Sequence, residues 1–233
     1  MRVLILTDTL FAAREWEMLS RVEIGLASEG VQVVHAMPTD AVSHVLPGGS
    51  SSGESPVFST LIPFTPSSVP FTLGLRAQRL LDALRKRLDL EDEERAFDLV
   101  HAFGGAVVPL SLELARREET PAVIEIWRSG MAARLAPLLR GFARGGPDGI
   151  THGGIILSAP DAALEREIQA ADLPAHPTVR VVPWGVHLPE WVRATPFASS
   201  TLSAMIIGSG HDPVALAAAL EGLSRACPPE KEL

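Results

Sequence analysis

The sequence predicts an α/β protein with a doubly wound, mostly parallel sheet. Two observations carry that expectation. Short apolar runs such as Val3–Leu6 and Ala122–Trp127 alternate with longer stretches whose apolar residues recur at helical spacing. Those runs are continuous rather than alternating, as expected of strands buried on both faces between layers of helices.

The elements follow in order. Val3–Leu6 reads as a strand. Trp16, Leu19, Val22 and Leu26 then mark one stripe of a helix that stops near Gly30, and Val31–His35 is the next strand. Strand, helix, strand is a βαβ unit, with right-handed crossover expected. Residues 37–74 differ: 18 of these 38 are Pro, Gly or Ser, and none is Lys or Arg. Leu46–Gly53 is a loop, and Val57–Pro63 supplies one strand. Leu73, Ala77, Leu80, Leu84 and Leu88 mark a long helix that ends in the acidic turn Asp89–Glu94.

Alternation then resumes. Asp98–Phe103 is a strand, Ala106–Arg117 a helix, Ala122–Trp127 a strand and Met131–Phe142 a helix. Gly154–Ser158 is a strand, Pro160–Ala171 a helix with proline in its first turn, and Val179–Pro183 a strand. Leu188–Ser200 reads as a linker, followed by a strand at Ser203–Ile207 and a helix at Val214–Ala226. The expected organisation is a domain over residues 1–195 and, over 196–233, a linker and the incomplete start of a second domain.

Composition narrows the function. With 233 residues, 46% hydrophobic and a net charge of −8, the chain is a globular protein, and its charge is wrong for wrapping nucleic acid. One cysteine, Cys227, excludes an internal disulfide or a CxxC site and suits a reducing cytoplasm. No apolar run is long enough to cross a membrane. Arg outnumbers Lys 18 to 2, and Asn and Tyr are absent, a bias expected of a GC-rich bacterial genome rather than of a function.

In sheets of this kind ligands bind beyond the carboxyl ends of the strands, where strand order reverses. Candidate residues therefore lie in the turns after Leu6, Phe103, Trp127, Ser158 and Ile207. The Gly104-Gly105 pair after one strand lets a ligand approach the backbone. Arg128 and Ser129 end the next strand, where Arg128 either holds an anionic ligand or pairs with a carboxylate. His101 is either a hydrogen-bonded core histidine or a catalytic one. Gly208-Ser209-Gly210 is either a phosphate-binding turn or a tight turn before Pro213. The Gly49–Gly53 string matches G-x-S-x-G but lacks the strand-to-helix turn a hydrolase nucleophile needs. The first strand's turn, Thr7–Ala12, has no glycines for a nicotinamide cofactor. Met131–Arg144 is either a sheet-covering helix or a basic amphipathic helix resting on a membrane.

Several strings together resemble the N-terminal half of family-4 glycosyltransferases of the GT-B fold. They are Leu26–Val33 ("L…G-x-x-V"), Asp98–Phe103 ("D-hydrophobic-V-H-A-H"), Pro121–Val123, and Val179–His187 ("V-x-V-I-P-N-G-V-D"). Ala204–Gly208 and Leu216–Leu223 are similar to the opening of the family's second domain. The resemblance implies Rossmann-like domains and transfer of a hexose-type sugar from a nucleotide-sugar donor, with retention, to a sugar or lipid-linked acceptor in glycan or glycolipid biosynthesis. It implies no metal and no cofactor beyond the nucleotide sugar, and a cytoplasmic location that leaves open contact with the inner face of the membrane. Thr9, Arg14, Gly104, Gly105, Arg128 and Ser129 would bind the acceptor, with His101 as the catalytic candidate. Gly208, Ser209 and Gly210 would approach the donor diphosphate.

The chain departs from the pattern where Phe103 replaces the second histidine, Trp184 the Asn and His187 the Asp, and where Ser209-Gly210 stand in place of the diphosphate-binding Arg. The family's paired glutamates are expected beyond Leu233, so this stretch alone should be catalytically incomplete. The alternative is a sugar- or nucleotide-binding module that kept the fold without the chemistry.

Overall fold

The computed structural model describes residues 1–39, 60–65, 72–91, 93–143, 154–174 and 176–184, together with 217, 221 and 222. Met1–Gly185 forms one compact unit and Val186–Leu233 another. In the second, the described Ala217, Glu221 and Gly222 are helical; the expected linker, the strand at Ser203–Ile207 and Gly208, Ser209 and Gly210 lie outside the described residues.

The first unit is a seven-stranded sheet, parallel throughout. Its strands are β1 (Arg2–Thr7), β2 (Gln32–Pro38), β3 (Leu61–Phe64), β4 (Leu99–Phe103), β5 (Ala122–Glu125), β6 (Ile155–Ala159) and β7 (Thr178–Val181), in the spatial order β3-β2-β1-β4-β5-β6-β7. Its helices are α1 (Thr9–Ser28), α2 (Leu73–Leu88), α3 (Val108–Glu118), α4 (Met131–Ala143) and α5 (Ala162–Ala170), and a 3-10 turn at Gly105–Val107 leads into α3. This is the doubly wound sheet the sequence predicts. Of the strand expected at Val57–Pro63, the described part lies in Leu61–Phe64, paired with the end of β2, while 57–59 lie outside the described residues.

Strand order dictates which face each helix covers. The chain leaves β1 in one direction through α1 and, from β4 onward, moves in the other, so right-handed crossovers put α1 on one face and the later helices on the opposite face. The core divides accordingly. Phe11, Ala12 and Leu19 of α1 pack on Val3, Ile5, Val33, Met37 and Phe103. Ala77, Leu80, Leu81 and Leu84 of α2, with Leu112, Leu114, Leu135, Leu139, Leu164 and Ile168 of α3–α5, pack on Leu4, Leu6, Val100, Ala102, Ile124 and Leu157.

Local chemistry sets the ends. Asp8 caps α1, its side chain accepting from the Phe11 N–H, and Gly30 adopts φ +75° just past the helix, as expected of a C-terminal glycine. Asp161 caps α5 by accepting from the N–H groups of Ala163 and Leu164. Pro160 therefore precedes the cap instead of occupying the first turn, a correction to the sequence-based start. Glu118, at the end of α3, accepts from Arg85 at 3.0 Å and from the Ala96 N–H at 2.7 Å, joining α2, α3 and the segment before β4.

Candidate functional site

Strand order reverses between β1 and β4, and the turns leaving these two neighbours are bonded to each other. The Asp8 N–H donates to the Phe103 carbonyl at 3.0 Å. One carboxylate oxygen of Asp8 accepts from Phe11 at 2.8 Å, and the other from the Ala106 N–H at 3.4 Å. Gly104 lies against this carboxylate with φ +104° and ψ 143°. That conformation is essentially confined to glycine, and a Cβ here would occupy the space of the Asp8 carboxylate. The glycine pair thus divides its labour: Gly104 permits the turn, whereas a Cβ on Gly105 would meet nothing within 4 Å.

Above this turn opens a cavity of about 1140 Å³, lined by residues that end or follow β1 to β5 at the sheet's carboxyl edge. Asp8, Thr9 and Leu10 begin α1, Pro38 and Phe64 end β2 and β3, Gly105–Val107 open the way into α3, and Arg128–Met131 lead into α4. Leu73, Leu110, Leu135 and Leu138 supply apolar wall. Among the described residues, three arginines, Arg76, Arg128 and Arg134, face it with a single carboxylate, Asp8. Burial pulls the Arg76 guanidinium below its ordinary value. Arg128 lies over the Trp127 ring, 5.1 Å from its centroid. Glu167 of α5 fixes the turn before α4, accepting from the Ser129 hydroxyl and from the Gly130 N–H, each at 2.6 Å. Ser129 thus already donates to Glu167.

His101 lies on the other face of β4. Its ring stacks on Phe103 with centroids 4.1 Å apart, and its Nε2 is 3.2 Å from Glu125 Oε2. A carboxylate only accepts, so in this contact Nε2 carries the hydrogen. Glu125 is buried, and its other oxygen accepts from Trp184 Nε1 at 2.7 Å. Phe11 meets the rings of Phe103, Trp127 and Trp184 at 5.2, 5.4 and 5.8 Å.

Of the residues singled out from sequence, Thr9, Gly105, Arg128 and Ser129 line one cavity, and Gly104 lies directly beneath it. His101 is turned away from it. Arg14 falls within α1, but its side chain lies outside the described residues. Arg128 forms no ion pair among the described residues; its contact is with Trp127. Sequence reasoning missed Asp8, Arg76, Glu125 and Glu167. The basic face of Met131–Arg144 held a signal for Arg134, while nothing local distinguished Arg76 from other helical arginines. The apolar stripe of that helix, Met131, Ala132, Leu135 and Leu139, is buried in the sheet core, so α4 covers the sheet. No described helix is long and apolar enough to cross a membrane. Among the described residues no cluster of His, Cys, Asp and Glu is arranged to hold a metal.

No family model and no curated protein matches the chain. Among solved structures it is similar to the spinosyn rhamnosyltransferase SpnG complexed with thymidine diphosphate, at 18% identity over 82% of this chain and 53% of that one, with a TM-score of 0.44. It is similar to Arabidopsis thaliana UGT89C1 complexed with UDP-L-rhamnose, at 15% identity over 94% of this chain and 62% of that one, TM-score 0.47. A third is Acinetobacter baumannii MurG, at 14% identity over 78% of this chain and 67% of that one, TM-score 0.38. The chain thus spans between about half and two thirds of the length of these three structures.

Proposed function

We propose that this chain supplies the acceptor-side domain of a nucleotide-sugar-dependent glycosyltransferase. The observation that carries the proposal is the large cavity at the carboxyl edge of the parallel sheet, beside the strand-order reversal. A transferase needs such a concave, largely apolar chamber with a few fixed polar groups to orient an acceptor. The strings resembling family-4 glycosyltransferases border the same edge: Asp98–Phe103 is the strand that delivers Gly104 and Gly105, and Val179–His187 contains Trp184, which touches Phe11. In this proposal the donor is a nucleotide sugar, transfer is of the retaining type, and no metal is required.

The binding-module alternative is favoured by one observation: His101 is already engaged by Glu125 and stacked on Phe103, on the face away from the cavity. Turnover separates the two. The protein encoded by the complete reading frame, incubated with a panel of nucleotide sugars and glycoside acceptors, should release nucleoside diphosphate in an acceptor-dependent way. Saturable nucleotide-sugar binding without release would sink the transferase proposal and leave the module.

A further inference from the structure

We infer that the acceptor-side cavity takes an amphipathic anion, a phosphate-type group carried on an apolar body. This rests on the proposed function only for the word acceptor; the binding itself follows from the cavity. The protein as a whole carries a net charge of −8, yet the described lining of this cavity brings Arg76, Arg128 and Arg134 together with one carboxylate, Asp8. Asp8 is already committed, since it caps α1 and leans on Gly104 and Ala106. Its hydrogen bonds thus go to backbone N–H groups, and it forms no ion pair with Arg128 or Arg134.

Some arginines outside the cavity are held by carboxylates. Arg85 has Glu118, and Arg116 and Arg117 share Glu113. Arg134 and Arg128 form no ion pair among the described residues, and both face the cavity. Concentrated positive charge beside a low-dielectric wall focuses potential and selects an anion. Guanidinium groups match the geometry of phosphate oxygens particularly well.

The rest of the lining sets the other half of the ligand. Leu10 is 40% exposed at the start of α1, a position that leaves a leucine side chain in water unless something covers it. With Phe64, Leu73 and Leu138 it lines the same cavity as the arginines. A small hydrophilic anion would leave this surface wet. An anion attached to an alkyl chain satisfies both parts together.

The test uses n-octyl phosphate, n-octanol and inorganic phosphate as probes of the purified protein, by calorimetry without any sugar donor. Octyl phosphate should bind saturably and at least about tenfold more tightly than either half alone, since a charge-assisted contact contributes on the order of tenfold in affinity. Arg128→Gln and Arg134→Gln should each weaken it about tenfold, and Leu10→Ser should weaken octyl phosphate while leaving inorganic phosphate unchanged. Arg140→Gln, an exposed position on the same helix outside the cavity, should change nothing. Thermal unfolding of each variant establishes that it is folded.

Equal affinity for octanol and octyl phosphate, or indifference to both arginine variants, overturns the inference. So does inorganic phosphate binding as tightly as octyl phosphate. Flotation with vesicles of an anionic phospholipid, abolished by the arginine variants, would support a bilayer lipid as source. Saturable soluble binding without flotation supports a soluble phosphate ester. Because no donor is present, failure here is distinguishable from failure of the transferase proposal, which turnover decides.

Discussion

Replacing Gly104 with alanine should be among the most damaging single-methyl changes available to this fold, while the same change one residue later should be nearly silent. At Gly104 two penalties coincide. The backbone sits at φ +104°, ψ 143°, which in a residue with a Cβ costs on the order of 1–3 kcal/mol. The added methyl also falls on the Asp8 carboxylate, which must swing away and release the Phe11 N–H it caps at 2.8 Å. Losing such a cap costs roughly 1 kcal/mol. The total for Gly104→Ala is therefore about 2–4 kcal/mol. Gly105 has no positive φ and nothing within 4 Å of a Cβ, so Gly105→Ala should stay within about 0.5 kcal/mol of the parent. Urea unfolding followed by circular dichroism measures both. A double-mutant cycle with Asp8→Ala sharpens the test, because removing the carboxylate removes the collision. Gly104→Ala should then lose only its backbone penalty in the Asp8→Ala background, a coupling of about 1 kcal/mol. Strict additivity, or equal costs at 104 and 105, would refute the account of this turn.

Two further changes probe other parts of the first unit. Glu118→Ala removes the acceptor of the buried Ala96 N–H and the partner of Arg85, and should destabilise by about 2–3 kcal/mol in the same unfolding assay. Burial pushes the Glu113 carboxyl up, but hydrogen bonds and charge from Arg116 and Arg117 outweigh it and hold the carboxyl below its usual range. A depressed carboxyl stabilises the fold fully above its unfolded value near pH 4.3, and loses that contribution as pH falls through the lower folded value. The stability difference between the parent and Glu113→Gln should thus be constant above about pH 5, at roughly 0.5–1 kcal/mol for partly exposed helix pairs, and shrink below pH 4. A difference that grew on acidification would reverse the assigned sign.

Most of the fold was legible because it rests on periodicity. Continuous apolar runs and helical stripes located the seven described strands and the five described helices of the first unit to within a few residues. Within the described residues the end of the loop strand, at Phe64, is set by pairing with β2, a long-range fact that no local pattern records. The site was legible where it followed from topology. Gly104, Gly105, Arg128 and Ser129 stand at strand ends, and a parallel sheet gathers strand ends along one edge. Arg76 and Glu167 were not legible, since each belongs to a helix and acts across a distance in sequence that no local pattern records. Nor did sequence say on which face of β4 the histidine would lie relative to the cavity. That depends on which face the helices α2–α4 cover.

The face assignment has a consequence for His101 that separates position from chemistry. Side chains alternate along β4, so His101 and Phe103 point toward the α1 side while Val100 and Ala102 enter the core beneath α2 and α3. The cavity's apolar wall, with Phe64, Leu73, Leu110 and Leu135, belongs to that second side. A ligand in the cavity can therefore approach His101 only over the carboxyl edge, past Gly104. His101→Ala should leave octyl phosphate affinity within about twofold of the parent, because an uncoupled site contributes under about 0.5 kcal/mol. It should nevertheless lower stability by about 1–2 kcal/mol, since the buried Glu125 loses one of its two hydrogen-bond donors among the described residues and keeps Trp184. His101→Ala that weakened the ligand as strongly as Arg128→Gln would place the imidazole in the cavity's own binding machinery, and the separation of the two faces would fall.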